Sequence, residues 1–265
     1  MKRILWLMTL LLVAGCAGNF ARQPPQPQVG ETLPSSADAK PSDARTRAKA
    51  HTDLGMAYYQ GSNMATALQE ARIALQADSE YAPAYNLLGL VQMYLGENAE
   101  AETSFRRALG IAPGDPDANN HYGWFLCLNG REKEGIAHLM TAVRNPLYRT
   151  PTKPYTNAGL CSLRLNDEAA AEEYFKKAVM ADESNNQALY HLANLSYKRG
   201  DYRNAQRFIG AVNEQMEPNA ESLWLALRVE RKLGDLQAEA KYANQLRRNF
   251  VGSKEYQAMT QGRFE

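Results

Sequence analysis

Residues 82–115 have the sequence APAYNLLGLVQMYLGENAEAETSFRRALGIAPGD, and this stretch of 34 residues decides the fold. Small residues recur at the same spacing along most of the chain. One series comprises Gly55, Gly89, Gly123, Gly159, Ala193 and Leu227, the last a departure. A second series, seven residues later in each unit and here called the turn series, comprises Ser62, Gly96, Gly130, Asn166, Gly200 and Gly234. Successive members are 34 residues apart, except for 36 between the third and fourth, and such a period indicates a repeat protein.

The second unit carries the full pattern of the tetratricopeptide repeat, a hairpin of two helices. Gly89 and Ala101 lack bulk where the two helices cross, and Gly96 ends the first helix or begins its turn. Phe105 fills the space between units, and Pro113 stops the second helix. The complete pattern comprises Tyr85, Leu88, Gly89, Gly96, Ala101, Phe105, Ala108 and Pro113.

The remaining units keep enough of this pattern to predict an all-α fold, a right-handed superhelix of about six tetratricopeptide helical hairpins. Units that cannot bury their own apolar faces must stack, so residues 45–253 are predicted to form one solenoid, followed by a C-terminal tail at 254–265. The two-residue expansion falls in 145–151, where two prolines predict a lengthened loop. The units are approximately 48–81, 82–115, 116–151, 152–185, 186–219 and 220–253.

The first residues have the features of a bacterial lipoprotein signal peptide. Two basic residues precede the apolar run 4–13, which is too short to span a bilayer. Residues 12–16, with the sequence LVAGC, resemble the lipobox of bacterial lipoproteins. The resemblance implies that residues 1–15 are removed and that Cys16 becomes the lipidated mature N-terminus. The alternative is an ordinary signal peptide with an incidental cysteine.

Residues 16–44 are rich in proline, glutamine, serine and alanine and contain almost no large apolar side chains. Such a composition cannot form a core, which predicts a flexible, partly extended tether. Ala17 follows the cysteine, and the usual sorting rule of bacterial lipoproteins then implies transport to the outer membrane. We therefore expect a protein held at the outer membrane by its lipid, with a periplasmic orientation favoured over the cell surface.

Composition and motifs argue against catalysis and nucleic-acid binding. Thirty basic and 29 acidic residues leave a formal charge of +1, which gives little attraction to a polyanion. The histidines show no short metal-ligand spacing, and no phosphate-binding loop or nucleophile motif appears. We expect no enzyme activity, no metal, no small-molecule substrate and no cofactor beyond the lipid on Cys16. A protein partner is expected instead.

The concave face of such a stack is the expected protein-binding surface, and it is lined mainly by the first helix of each hairpin. Helical spacing places repeat positions 2, 5, 6, 9, 12 and 13 near this groove. Its methionines and tyrosines suit a bound peptide or helix, and its recurrent asparagines suit an extended backbone. The alternative is that much of the stripe packs between neighbouring first helices. The candidates are Met56, Tyr59, Asn86, Leu90, Met93, Tyr94, Asn120, Trp124, Asn157, Tyr190 and Asn194.

Cys127 and Cys161 fall late in the first helices of adjacent units. First helices of consecutive units pack side by side, so in an oxidising envelope compartment the pair is a candidate disulfide between units three and four. The alternative is two buried thiols that act as small apolar side chains.

A lipobox, a proline-rich tether and six repeats together resemble the type IV pilus biogenesis and stability lipoproteins, the pilotin-like PilF/PilW family. The most specific stretches are 119–127 (NNHYGWFLC) and 154–161 (PYTNAGLC). The resemblance implies an outer-membrane protein that supports the localisation or assembly of the secretin channel and so stabilises pili, with the early units as the secretin-contacting region. The alternative is a lipoprotein scaffold for cell-wall synthesis, hydrolase regulation or outer-membrane protein assembly.

Overall fold

The structure is a computed structural model that describes residues 41–145, 148 and 150–264. These residues form thirteen helices and no strand, which confirms the all-α tetratricopeptide superhelix. The predicted signal peptide and residues 16–40 of the tether lie outside the described residues. The helices are α1 Pro41–Gln60, α2 Met64–Ala77, α3 Ala82–Leu95, α4 Asn98–Ile111, α5 Pro116–Leu128, α6 Glu132–Val143, α7 Thr152–Arg164, α8 Glu168–Ala181, α9 Asn186–Lys198, α10 Tyr202–Gln215, α11 Ala220–Leu233, α12 Leu236–Asn249 and α13 Lys254–Thr260.

Each of the six hairpins turns at its member of the turn series. All six residues have a positive φ, which is 79° at Gly96 and 58° at Asn166. A left-handed residue ends a helix by directing the next N–H groups back to its last carbonyls, and here Glu97 N donates to Gln92 O at 2.9 Å. Glycine adopts this conformation without a Cβ clash, and asparagine tolerates it better than most other residues. The spacing of the turn series was therefore a correct guide to the hairpin turns.

In the first four hairpins the two helices cross at the glycine of the first series. A Cβ on Gly89 would lie 2.8 Å from Phe105 Cδ1, so only glycine lets α3 and α4 approach this closely. Phe105 is fully buried, and its ring lies 5.6 Å from Phe125 and 5.9 Å from Tyr122 in the next repeat. One phenylalanine thus joins its own hairpin to the following one, as predicted, and its burial contributes about 2–3 kcal/mol.

The two ends of the stack and the connection in its middle differ in detail from a regular array of repeats. Helix α1 begins at Pro41, ahead of the predicted start of the solenoid. The connection between α6 and α7 spans 144–151. Each of the other connections between repeats is as short as the one formed by residues 78–81, so the predicted long loop is present. The segment expected only as a tail contains α13, which packs against α11 and α12.

Candidate protein-binding groove

In the first two repeats the groove presents thioether and phenol side chains over a packed core. Repeat positions 5, 9 and 12 of a first helix lie on one face because they are three or four residues apart. Met56, Tyr59 and Met93 occupy such positions, and each packs against the buried cluster that contains Leu90 and Phe105. All three are only half-buried, so each also presents surface on the groove side.

Tyr94 is the most exposed of the predicted groove residues, at 61% of its surface. Its neighbour Tyr59 is half-buried, and burial is the main cause that raises the pKa of the Tyr59 phenol, with a smaller contribution from Tyr94. The Tyr59 hydroxyl therefore stays neutral near pH 7, and the two rings form a largely apolar surface with a polar edge. Binding of a partner that covers this surface is favourable, because apolar area is removed from water.

Three predicted groove residues are not available to a ligand. Asn86, Leu90 and Asn120 are 6%, 5% and 4% exposed. His121 Nδ1 lies 3.0 Å from Asn86 Oδ1, and since an amide oxygen only accepts, the ring N–H donates. Asn157 Nδ2 donates to Asn120 Oδ1 at 3.0 Å. The structure thus corrects the expectation for these three residues: the asparagines tie neighbouring first helices together, because a buried amide needs a partner.

At the centre of the stack, where repeats three and four meet, a disulfide joins the two repeats. Cys127 and Cys161 are fully buried and are joined as a disulfide in the structure, with their Cα atoms 5.7 Å apart. Trp124 packs partly buried against the same cluster, beside Leu139. The stretches that resemble the PilF/PilW family therefore contribute side chains that fix α5 to α7.

His121 carries no charge in this setting at neutral pH. Burial lowers its pKa to about 4, and the nearby Asp117 only partly offsets this effect. A neutral imidazole can keep its N–H on Asn86 while its ring stays desolvated. His121 thus serves to hydrogen-bond one repeat to another, and binding a metal ion or transferring a proton would disturb this bond.

At the far end of the groove, Tyr190 and Trp224 line a cavity of about 870 Å³. Asn194, one turn after Tyr190 in α9, is half-buried. The opposite wall of this cavity comes from α13 and from residues 262–264, a segment that the sequence predicts only as a tail. Helix α13 has a start signal in the Ser253 hydroxyl, which accepts from Tyr256 N at 3.0 Å, and an end signal in the left-handed Gly262. Its seven residues are too few for a helical period to be recognised in the sequence.

Within the described part of the chain, no group of three or more histidine, cysteine, aspartate or glutamate side chains is placed to hold a metal ion. Nor does any helix in residues 41–145 or 150–264 combine the length and the apolar character that crossing a membrane requires.

A stack of helical hairpins with these turns and crossings defines a tetratricopeptide-repeat protein, and tetratricopeptide-repeat family models match residues 52–116, 86–146 and 152–185. The chain belongs more particularly to the family of the type IV pilus proteins PilF and PilW. It is 31% identical to the type IV pilus assembly protein PilF of Pseudomonas aeruginosa over 228 residues, which is 86% of this chain and 89% of PilF.

The solved structures support the same assignment. The solved structure of Pseudomonas aeruginosa PilF has a TM-score of 0.77 at 30% identity, and the match covers 83% of this chain and 99% of the solved PilF chain. The structure of PilW, a widely conserved type IV pilus biogenesis factor, has a TM-score of 0.72 at 31% identity and covers 80% and 98% of the two chains. The likeness thus extends over nearly the whole of both solved chains.

Proposed function

We propose that this protein is a lipid-anchored scaffold of type IV pilus biogenesis at the outer membrane, and that it acts by binding a protein of the pilus machinery rather than by catalysis. The proposed partner is the secretin, whose localisation and multimer assembly the scaffold supports, and through it pilus stability. The observation that carries the proposal is the exposed Tyr94, which lies beside Tyr59 in a stack that is 31% identical to PilF.

The groove of repeats one and two is the proposed secretin-binding surface. Tyr94 and the half-buried Met56, Tyr59 and Met93 provide apolar contact area on rigid helices. Tyrosine offers a large surface with few rotatable bonds, and methionine adapts to irregular shapes, so together they suit a helix or extended segment. Because the core beneath them is packed, little ordering accompanies binding.

The anchor sets where the scaffold works. We propose that Cys16 carries the lipid and that residues 17–40 let the stack reach away from the membrane on its periplasmic side. Palmitate in this lipid adds about 0.8 kcal/mol of membrane affinity per buried methylene. We propose no role for a nucleic acid, a metal, a small-molecule substrate or any cofactor other than the lipid.

Deletion of the gene in the source bacterium tests the function. Deletion should abolish surface pili and the secretin multimers seen on gels, and the wild-type gene should restore both. Normal piliation together with a cell-shape or envelope defect would instead favour a scaffold of cell-wall synthesis, hydrolase regulation or outer-membrane protein assembly.

A matched variant separates the anchor from the groove. Replacement Cys16→Ser in the complementing gene should release the protein from the outer-membrane fraction and misplace the secretin multimers. Mass spectrometry of the wild-type mature N-terminus should show the acylated cysteine, and an unmodified Cys16 would contradict the anchoring proposal.

A further inference from the structure

The segment after α13 folds back onto the first helices of repeats five and six. Gly262 has φ of 68°, its N–H donates to Met259 O at 3.1 Å, and Arg263 N donates to Ala258 O at 2.9 Å. This left-handed helix end reverses the chain. Phe264 is thereby directed back towards α9 and α11.

Phe264 is held by residues of the groove face. Its ring centroid lies 5.4 Å from that of Trp224, and the guanidinium carbon of Arg231 lies 4.0 Å from its centroid. The Tyr197 hydroxyl donates to the backbone oxygen of Phe264 at 3.4 Å. Aromatic, cation–π and backbone contacts of this kind are those by which a groove recognises a peptide.

The residues that hold Phe264 occupy the repeat positions that form the groove elsewhere. Trp224 is at position 5 of its unit, and Tyr197 and Arg231 are at position 12, where Met93 stands in the second repeat. Arg228 at position 9 completes the row, with its guanidinium carbon 4.7 Å from the Tyr197 ring centroid and 5.5 Å from that of Trp224. The row therefore has the composition of a site for an aromatic side chain.

The site is larger than the residue that occupies it. A cavity of about 870 Å³ remains around Phe264. Its rim carries Glu221 and Lys254, whose carboxylate and ammonium groups lie 3.3 Å apart. A longer segment could therefore follow the groove past the position of Phe264 and meet polar groups of both signs.

We propose that the concave face of repeats five and six is a second peptide-binding site, and that its partner is a peptide segment which inserts an aromatic side chain between Trp224 and Arg231. Phe264 occupies this site in cis and must leave before the segment binds. A tethered occupant acts at an effective concentration of about millimolar, so it raises the affinity a partner needs. The proposal concerns a surface separate from Tyr94 and does not depend on the secretin.

The test uses a fluorescein-labelled peptide with the sequence of residues 261–265, QGRFE, and measures its anisotropy with purified full chain, with the variant Phe264→Ala and with a variant that lacks residues 261–265. The deletion variant should bind this peptide roughly tenfold more tightly than the wild type, and Phe264→Ala should behave like the deletion. A peptide with alanine in place of the phenylalanine is the control and should not bind. Introduction of Trp224→Ala into the deletion variant should abolish binding.

The indole N–H signal of Trp224 in a ¹H–¹⁵N spectrum gives a second measurement, assigned with Trp224→Phe. Deletion of 261–265 should shift this signal, and added QGRFE peptide should return it towards its wild-type position. Two outcomes would overturn the proposal: a folded deletion variant that binds no peptide, which would make Phe264 only a structural seal, or equal binding by all chains, which would place the peptide elsewhere. Neither outcome alters the secretin experiments.

Discussion

Phe175 lies so close to Gly159 that a Cβ on the glycine would come within 2.5 Å of its Cε1 atom. The ring is fully buried between α7 and α8, so it has no free space to move into. We therefore predict that Gly159→Ala lowers the free energy of unfolding by about 1–3 kcal/mol, the usual cost of overpacking a core. Urea-induced unfolding, monitored by circular dichroism, measures this change in the free energy of unfolding.

Gly210 in α10 provides the matched control, because a Cβ there meets nothing within 4 Å. Gly210→Ala should leave stability unchanged or raise it by up to about 1 kcal/mol, since alanine favours a helix over glycine. If Gly159→Ala were as stable as this control, the close crossing of α7 and α8 would be contradicted.

The bond between Cys127 and Cys161 predicts a redox-dependent stability. In a Cys16→Ser background, alkylation of the denatured, unreduced protein should label no thiol, because the two remaining cysteines are paired. The double variant Cys127→Ala/Cys161→Ala should lose about 2–4 kcal/mol of unfolding free energy, as is usual for a disulfide. Dithiothreitol should destabilise the parent and leave the double variant unchanged. Two labelled thiols would show that the cysteines act only as buried apolar side chains.

His121 predicts a loss of stability in mild acid. Its pKa is about 4 in the folded protein and about 6.5 when unfolded, so the unfolded state binds more protons between these values. Stability should therefore fall as the pH drops through this window, by roughly 2 kcal/mol from this residue between pH 7 and 4.5. His138 and His191, whose pKa values burial also lowers, change stability in the same direction.

The variant His121→Gln isolates this contribution. Glutamine keeps a donor near Asn86 but does not titrate, so unfolding free energies at pH 7 and 4.5 should differ by roughly 2 kcal/mol less than in the wild type. An unchanged pH dependence would mean that His121 is not desolvated in the folded state.

The fold was predictable because the residues that decide it act locally. Gly96 ends a helix and Gly89 allows two helices to cross, and both depend mainly on neighbours within one hairpin. The repeat period therefore located the six turns and the four crossings that have a glycine. The exposure of groove residues was less predictable, because it depends on the adjacent repeat. Asn86 and Asn120 stand at groove positions, yet both are buried and hydrogen-bond to His121 and Asn157 on the next first helices.

The far end of the groove was missed for a related reason. Helix α13 has seven residues, and the contact between Trp224 and Phe264 joins positions that no repeat period relates. Only the left-handed Gly262 gives the return of the chain a local cause, and a single glycine near an end does not predict its direction. Contacts that close a repeat array are specific to each array, so a periodic pattern does not contain them.

Tyr94 gives the most direct test of the proposed secretin-binding surface. It is 61% exposed, so Tyr94→Ala removes contact area without opening a cavity. We predict that this change weakens capture of the purified secretin by roughly tenfold, or about 1.4 kcal/mol, as is common for a tyrosine near the centre of an interface. Met180→Ala is the control, because Met180 is 84% exposed on α8, a second helix away from the groove. Both variants should keep the wild-type helical circular dichroism. If Tyr94→Ala and Met180→Ala captured secretin equally well, the groove of the first two repeats would not be its binding surface.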